Sequence, residues 1–194
     1  MKKYKLLKKD SNGLCRIQAL RNFENIKTGD IGGFIEFDKN LSHNGNSWIY
    51  DDAKVYGNAI VSGNAVVYGN AVVYDNAKIS GNAKISGNAK IFDDAVVYGN
   101  AKVSDDAWIY NDAVVYGDAK VSGNANISGN AKISDDAWIY DYAAVSGNTK
   151  IFGNSKISGN AKISDNAKIS GNAKVSDDAV VFGNSKISGN AKIC

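Results

Sequence analysis

One histidine, His43, and two cysteines, Cys15 and Cys194, are the chain's whole supply of imidazole and thiol groups. A zinc centre needs about four such ligands brought together, and these three lie at the two ends of the sequence, so the set does not build one. His43, in Leu41-Ser42-His43-Asn44, is the single candidate for a general base. Hard-cation chemistry would fall to the aspartates Asp75, Asp93, Asp94 and Asp112, whose oxygens suit calcium. They read as solvated turn residues instead. Glycine-rich phosphate loops and nucleophile elbows are absent. The expectation is no catalytic residue, no metal and no cofactor, with His43 as a structural residue.

The elements that must position these groups are unusually regular. The 194 residues include 20 glycines and no proline, and 44% are hydrophobic. From Ser47 to Ala191 every sixth residue is Ala, Ser or Thr, without one insertion or deletion. The typical unit is Gly-Asn-Ala-Lys-Ile-Ser. Its last four residues alternate small, polar, aliphatic, polar, which is the period of a strand buried on one face. The aliphatic residue is nearly always Ile or Val, suited to a pleated surface. Gly-Asn, Asp-Asn or Asp-Asp then supplies a corner, because these residues tolerate left-handed backbone angles. A helix is excluded, since a six-residue repeat drifts around a 3.6-residue turn. Such short strands cannot bury a face alone and must stack as a solenoid.

Net charge is +3 and unevenly spread. Residues 1–46 carry nine Lys/Arg against five Asp/Glu, residues 47–116 five against eight, and residues 117–194 nine against seven. Local patches therefore matter more than the total. The chain has no apolar signal core and no long apolar run, which reads as a cytoplasmic protein without membrane attachment. Cys15 and Cys194 are expected too far apart for a disulfide.

The pattern aliphatic-x-Gly-Asn-Ala-x resembles the hexapeptide repeat of left-handed parallel β-helix proteins, over about three quarters of the chain. The resemblance implies three units per coil, hence a triangular prism of about eight 18-residue coils. Aromatic spacing does not decide this, because aromatics recur equally well at 18 and at 24 residues. Residues 47–194 form the solenoid in this reading. Residues 1–46 form an entry cap with a hairpin turning at Asp10-Ser11-Asn12-Gly13. The cap segment from Arg21 to Ile35 is similar to the N-terminal region of bacterial and prophage hexapeptide proteins labelled as transferases. That label implies a histidine-based acyltransferase as the competing function, but no loop leaves the coils to wall off a substrate cleft.

At 18 residues per coil, Tyr56, Tyr74, Phe92 and Tyr110 fall in one outward column beside Lys54, Val72, Lys90 and Trp108. Tyr98 and Tyr116 lie on the next face with Val96 and Val114, across an acidic corner. Exposed aromatics gathered in this way predict a protein-binding surface. The other half carries lysine columns, Lys132-Lys150-Lys168-Lys186 and Lys156-Lys174-Lys192, which could follow nucleic-acid phosphates. A non-catalytic binding or scaffold protein is the expected function, with a prophage effector that inhibits a bacterial defence complex as its specific form. A structural or polymer-forming element is a further alternative. The last coil, with Ile169, Val175, Ile187, Ile193 and Cys194, is expected to expose strand edges and apolar surface and to join two copies tail to tail.

Overall fold

The computed structural model describes residues 2–194. After three longer strands, β1 (Tyr4–Lys9), β2 (Cys15–Ala19) and β3 (Ile31–Ile35), two-residue strands recur every six residues. They run from β4 (Trp48–Ile49) to β28 (Lys192–Ile193). Up to the last three, each pairs in parallel with the strand 18 residues on: Lys54 with Val72, Lys84 with Lys102, Val96 with Val114. Three strands therefore make one coil, and the 24-residue alternative is excluded. Three sheets result, of eleven, nine and eight strands, called here the first, second and third faces. With about 4.8 Å between stacked strands, the nine-stranded face is about 40 Å long.

The core follows from the repeat. Ala and Ile or Val of each unit point inward, and from Ile49 to Val145 these aliphatic positions have no exposed surface. The polar member between them, such as Lys84 or Lys102, faces solvent. At each corner the first residue has a positive φ, between 52° for Asp51 and 73° for Gly99. Asp at this position does more than tolerate the angle. The Asp51 Oδ2 accepts the Gly69 N–H one coil on, at 3.0 Å, and Asp105, Asp135, Asp141 and Asp165 repeat the link to Gly123, Gly153, Gly159 and Gly183. The second corner residue builds amide ladders, as in Asn64 to Asn82 to Asn100 to Asp118, with Nδ2 donating to Oδ1 at 3.0–3.1 Å. Corners are thus tied to one another by side chains as well as by the sheets.

The N-terminal hairpin is present, β1 antiparallel to β2, with Asp10 Oδ1 accepting the Asn12 and Leu14 N–H groups in the turn. β2 pairs antiparallel with β3, and β3 pairs in parallel with β5 (Lys54–Val55). Leu41 bridges to Val61, so coil-like stacking already begins upstream of Ser47. Asn40 closes the gap between them: its Nδ2 donates to the Gly57 and Ala59 carbonyls and its Oδ1 accepts the Phe37 N–H. The hairpin covers the edge of the first face only, as a sheet extension.

At the other end, Ile169 and Val175 are not exposed as expected from the sequence. Each is fully buried because the next strand, β27 (Lys186–Ile187) or β28, lies directly over it. Exposure falls on the final layer: Val180, Phe182 and Ile193 are exposed and Ile187 is half-buried. No helix among the described residues is long and apolar enough to cross a membrane.

Candidate functional site

The expected aromatic column forms on the first face as a continuous stack. Ring centroids lie 5.2 Å apart for Tyr56–Tyr74, 4.9 Å for Tyr74–Phe92 and 5.0 Å for Phe92–Tyr110, with the last pair inclined by only 2°. In-register parallel strands hold their side chains one strand spacing apart, and flat rings fit that gap. Ring faces are consumed by stacking, leaving edges to solvent. Burial pushes the Tyr56 and Tyr74 phenols above their ordinary pKa, with Asp75 adding to the effect. Trp108 stands beside this stack, edge-on to Phe92 at 6.2 Å and under the Lys90 ammonium at 4.6 Å. At 41% exposure it is the most open ring of the group, bordering an open groove of about 600 Å³ with Asn88, Asn124 and Asn126. Tyr98 and Tyr116 stack at 5.1 Å on the third face.

Between these two faces lies the acidic corner. Asp75 and Asp93 share the positive-φ position of successive coils, and Asp94 and Asp112 the position after it. Asp93 Oδ2 accepts the Asn111 N–H at 3.1 Å, which gives that carboxylate the corner-linking role described above. Among the described residues no three His, Cys, Asp or Glu side chains gather as a metal site would require. Both lysine columns are in register, Lys132 to Lys186 on the third face and Lys156 to Lys192 on the second. Cys15 is buried, Cys194 is exposed, and both are free thiols.

His43 is engaged at both ring nitrogens and on one ring face. Its Nδ1 accepts the Lys3 backbone N–H at 3.1 Å, so the proton sits on Nε2, which faces the Asp38 carboxylate at 3.1 and 3.2 Å. Its ring stacks on Tyr4 at 4.3 Å, and the single Tyr4 hydroxyl hydrogen is shared between the Asp38 and Leu41 carbonyls, 2.8 and 2.7 Å away. Burial and then the Asp38 charge raise the Tyr4 phenol well above its ordinary range. For Asp38, burial pushes upward, but the hydrogen bond from His43 and the Lys2 charge outweigh it, and the carboxyl ends below its usual value.

Two features of the cap escape sequence reasoning. Lys3 is fully buried with no carboxylate beside it: its Nζ donates to the Ser47 carbonyl at 2.7 Å and hydroxyl at 3.1 Å, 5.3 Å from the Phe23 ring centre. Burial, helped by the Arg21 charge, lowers its pKa to about 8. The only sequence signal is Ser47, a hydroxyl where the solenoid otherwise favours Ala. The second feature is a cleft of about 590 Å³ where the loop carrying Glu24 overhangs Tyr50 and Tyr68 on the second face. Loop and tyrosines are distant in sequence, and nothing in the repeat announces their meeting.

Residues 53–69 and 61–75 match the family model described as the YdcK beta solenoid repeat. The chain carries a β-solenoid repeat. The matched stretches hold Tyr56 and the corner that includes Asp75. No curated protein matches the chain.

Proposed function

We propose that the chain is a non-catalytic binding protein whose first face, centred on Trp108 and the Tyr56-to-Tyr110 ring column, docks a protein partner. The observation that carries this reading is Trp108 itself. A large ring at 41% exposure, beside a rigid stack and an open groove, offers the buriable aromatic anchor that interface hot spots use. Rigidity matters as well, since stacked rings lose little side-chain entropy on binding. The engagement of both His43 ring nitrogens supports a structural role for the lone histidine and weighs against the acyltransferase alternative.

In its specific form, the protein is a prophage effector of the cytoplasm that inhibits a bacterial defence complex; the resemblance of the cap to prophage hexapeptide proteins supports that form. A partner recovered from bacterial lysate by cross-linking to the purified chain would be titrated against wild type and Trp108→Ala. The variant should weaken the complex by about 2 kcal/mol or more, with an unchanged circular dichroism spectrum and melting curve. Equal losses of stability and binding would mean that the rings serve the fold alone.

A further inference from the structure

The cleft under the cap has the composition of a binding site for a neutral polyhydroxylated ligand. Its overhang is built deliberately. Phe23 and Ile26 pair through two backbone hydrogen bonds of 3.0 and 2.8 Å, and both side chains are buried, Phe23 against the Trp48 ring at 5.4 Å. The two residues between them, Glu24 and Asn25, are thereby pushed out over the second face. Glu24 takes a φ of 44°, a left-handed angle at which a two-residue hairpin ordinarily carries Gly or Asn. Every other non-glycine residue with a positive φ in the described chain is Asp or Asn. A glutamate there is strained by about 1–2 kcal/mol, and such strain persists where the side chain is used. Its Oε1 accepts the Asn46 amide at 2.6 Å, fixing the carboxylate at the cleft wall.

The floor and opposite wall complete the chemistry. Tyr68, exposed, and Tyr50, half-buried, supply aromatic surface beside Val66. Burial, with Glu24 and Asp51 adding to it, raises the Tyr50 phenol, which stays a hydrogen-bond donor at neutral pH. Asn64 and Asn82 line the cleft as members of the amide ladder, so their orientation is fixed before any ligand arrives. Charge then selects the ligand class. Glu24 and Asp51 oppose an anion, while Lys84 in the same lining offsets part of their pull on a cation. Two aromatic rings, preset amides that both donate and accept, and a fixed carboxylate together match a sugar, whose axial C–H face packs on a ring and whose hydroxyls need both partners.

We infer that this cleft binds a neutral carbohydrate, seated on Tyr68 and held by Glu24, Asn64 and Asn82, independently of the Trp108 face. The full chain would be applied to an array of neutral, sulfated and sialylated glycans. Neutral hits would then be titrated by saturation-transfer NMR. Wild type should bind neutral glycans. Tyr68→Ala should lose about tenfold or more in affinity. Tyr142→Ala, an exposed ring outside the cleft lining, should bind as wild type. Glu24→Gly separates a ligand role from a structural one, because relief of the left-handed strain should keep or raise the melting temperature while binding is lost. Several results would overturn the inference: no glycan bound, binding confined to sulfated or sialylated glycans, competition by tetramethylammonium, or affinity that survives Tyr68→Ala or Glu24→Gly.

Discussion

A buried lysine without a carboxylate makes the cap sensitive to alkaline pH in an unusual direction. Lys3 binds its proton less tightly in the folded chain, at about 8, than at its ordinary 10.5, because burial penalises the charge. In the unfolded chain the proton is kept until about 10.5, so between these values the unfolded state holds more protons and stability rises with pH. Above 10.5 the penalty is gone, and it is felt in full once the pH falls below about 8. Each tenfold change in proton affinity is worth about 1.4 kcal/mol, so the full swing is roughly 3 kcal/mol. Tyr4 acts oppositely: its raised phenol stabilises below 10, and that contribution is lost as the pH climbs further. The window for observing Lys3 is therefore about pH 8–10. Solenoids need not unfold in one step, so the cap requires its own probe. Trp48, buried against Phe23 and edge-on to Tyr4, supplies it once Trp108→Phe and Trp138→Phe silence the other indoles. In that background, urea unfolding read at Trp48 should strengthen by about 2 kcal/mol from pH 8 to 10, and Lys3→Met should remove the rise. The variant costs the Ser47 carbonyl and hydroxyl a donor at every pH, which shifts its whole curve without tilting it. A wild-type curve parallel to that of Lys3→Met across the window would refute the reasoning.

Thr149 occupies an inward alanine position, and its hydroxyl is buried without a partner. Thr149→Val keeps the shape, removes the unsatisfied group and should raise stability by about 1–2 kcal/mol in thermal unfolding. His43→Ala breaks the contacts to Lys3, Asp38 and Tyr4 and should destabilise the cap by about 1–3 kcal/mol. Calorimetry with acetyl-CoA should show no binding by either protein, and micromolar binding abolished in the variant would restore the acyltransferase reading. In the 194-residue chain the outer edges of β26 (Val180–Val181), β27 and β28 have no neighbouring strand, with Phe182 and Ile193 exposed beside them. Light scattering should find a dimer that Ile187→Lys with Ile193→Lys dissociates; a wild-type monomer at micromolar concentration would remove the tail-to-tail proposal.

The repeat was legible from residue types alone. Inward Ala and Ile or Val, outward Lys, Tyr or Ser, and a corner of Gly, Asp or Asn specify strand, face and bend within six residues, because each property is local. The coil size was not, since aromatics recur as well at 24 residues as at 18 and only inter-strand pairing such as Lys54 with Val72 separates the two. The columns of Tyr56, Tyr74, Phe92 and Tyr110 then follow from that pairing. Ile169 and Val175 show the same limit at the far end, where a residue's exposure depends on the strand stacked over it rather than on its own unit. The cap is where tertiary structure decided most. Lys3 reads as one of several basic residues near the start of the chain, yet it is the one driven inward, because the hairpin brings it over Ser47 and Phe23. Glu24 likewise meets Asn46, and its overhang shares a cleft with Tyr68, at separations of 22 and 44 positions. Repeats encode their contacts at a fixed spacing that can be read along the chain. The cap's contacts join segments with no common period, and only the folded backbone sets which of them touch.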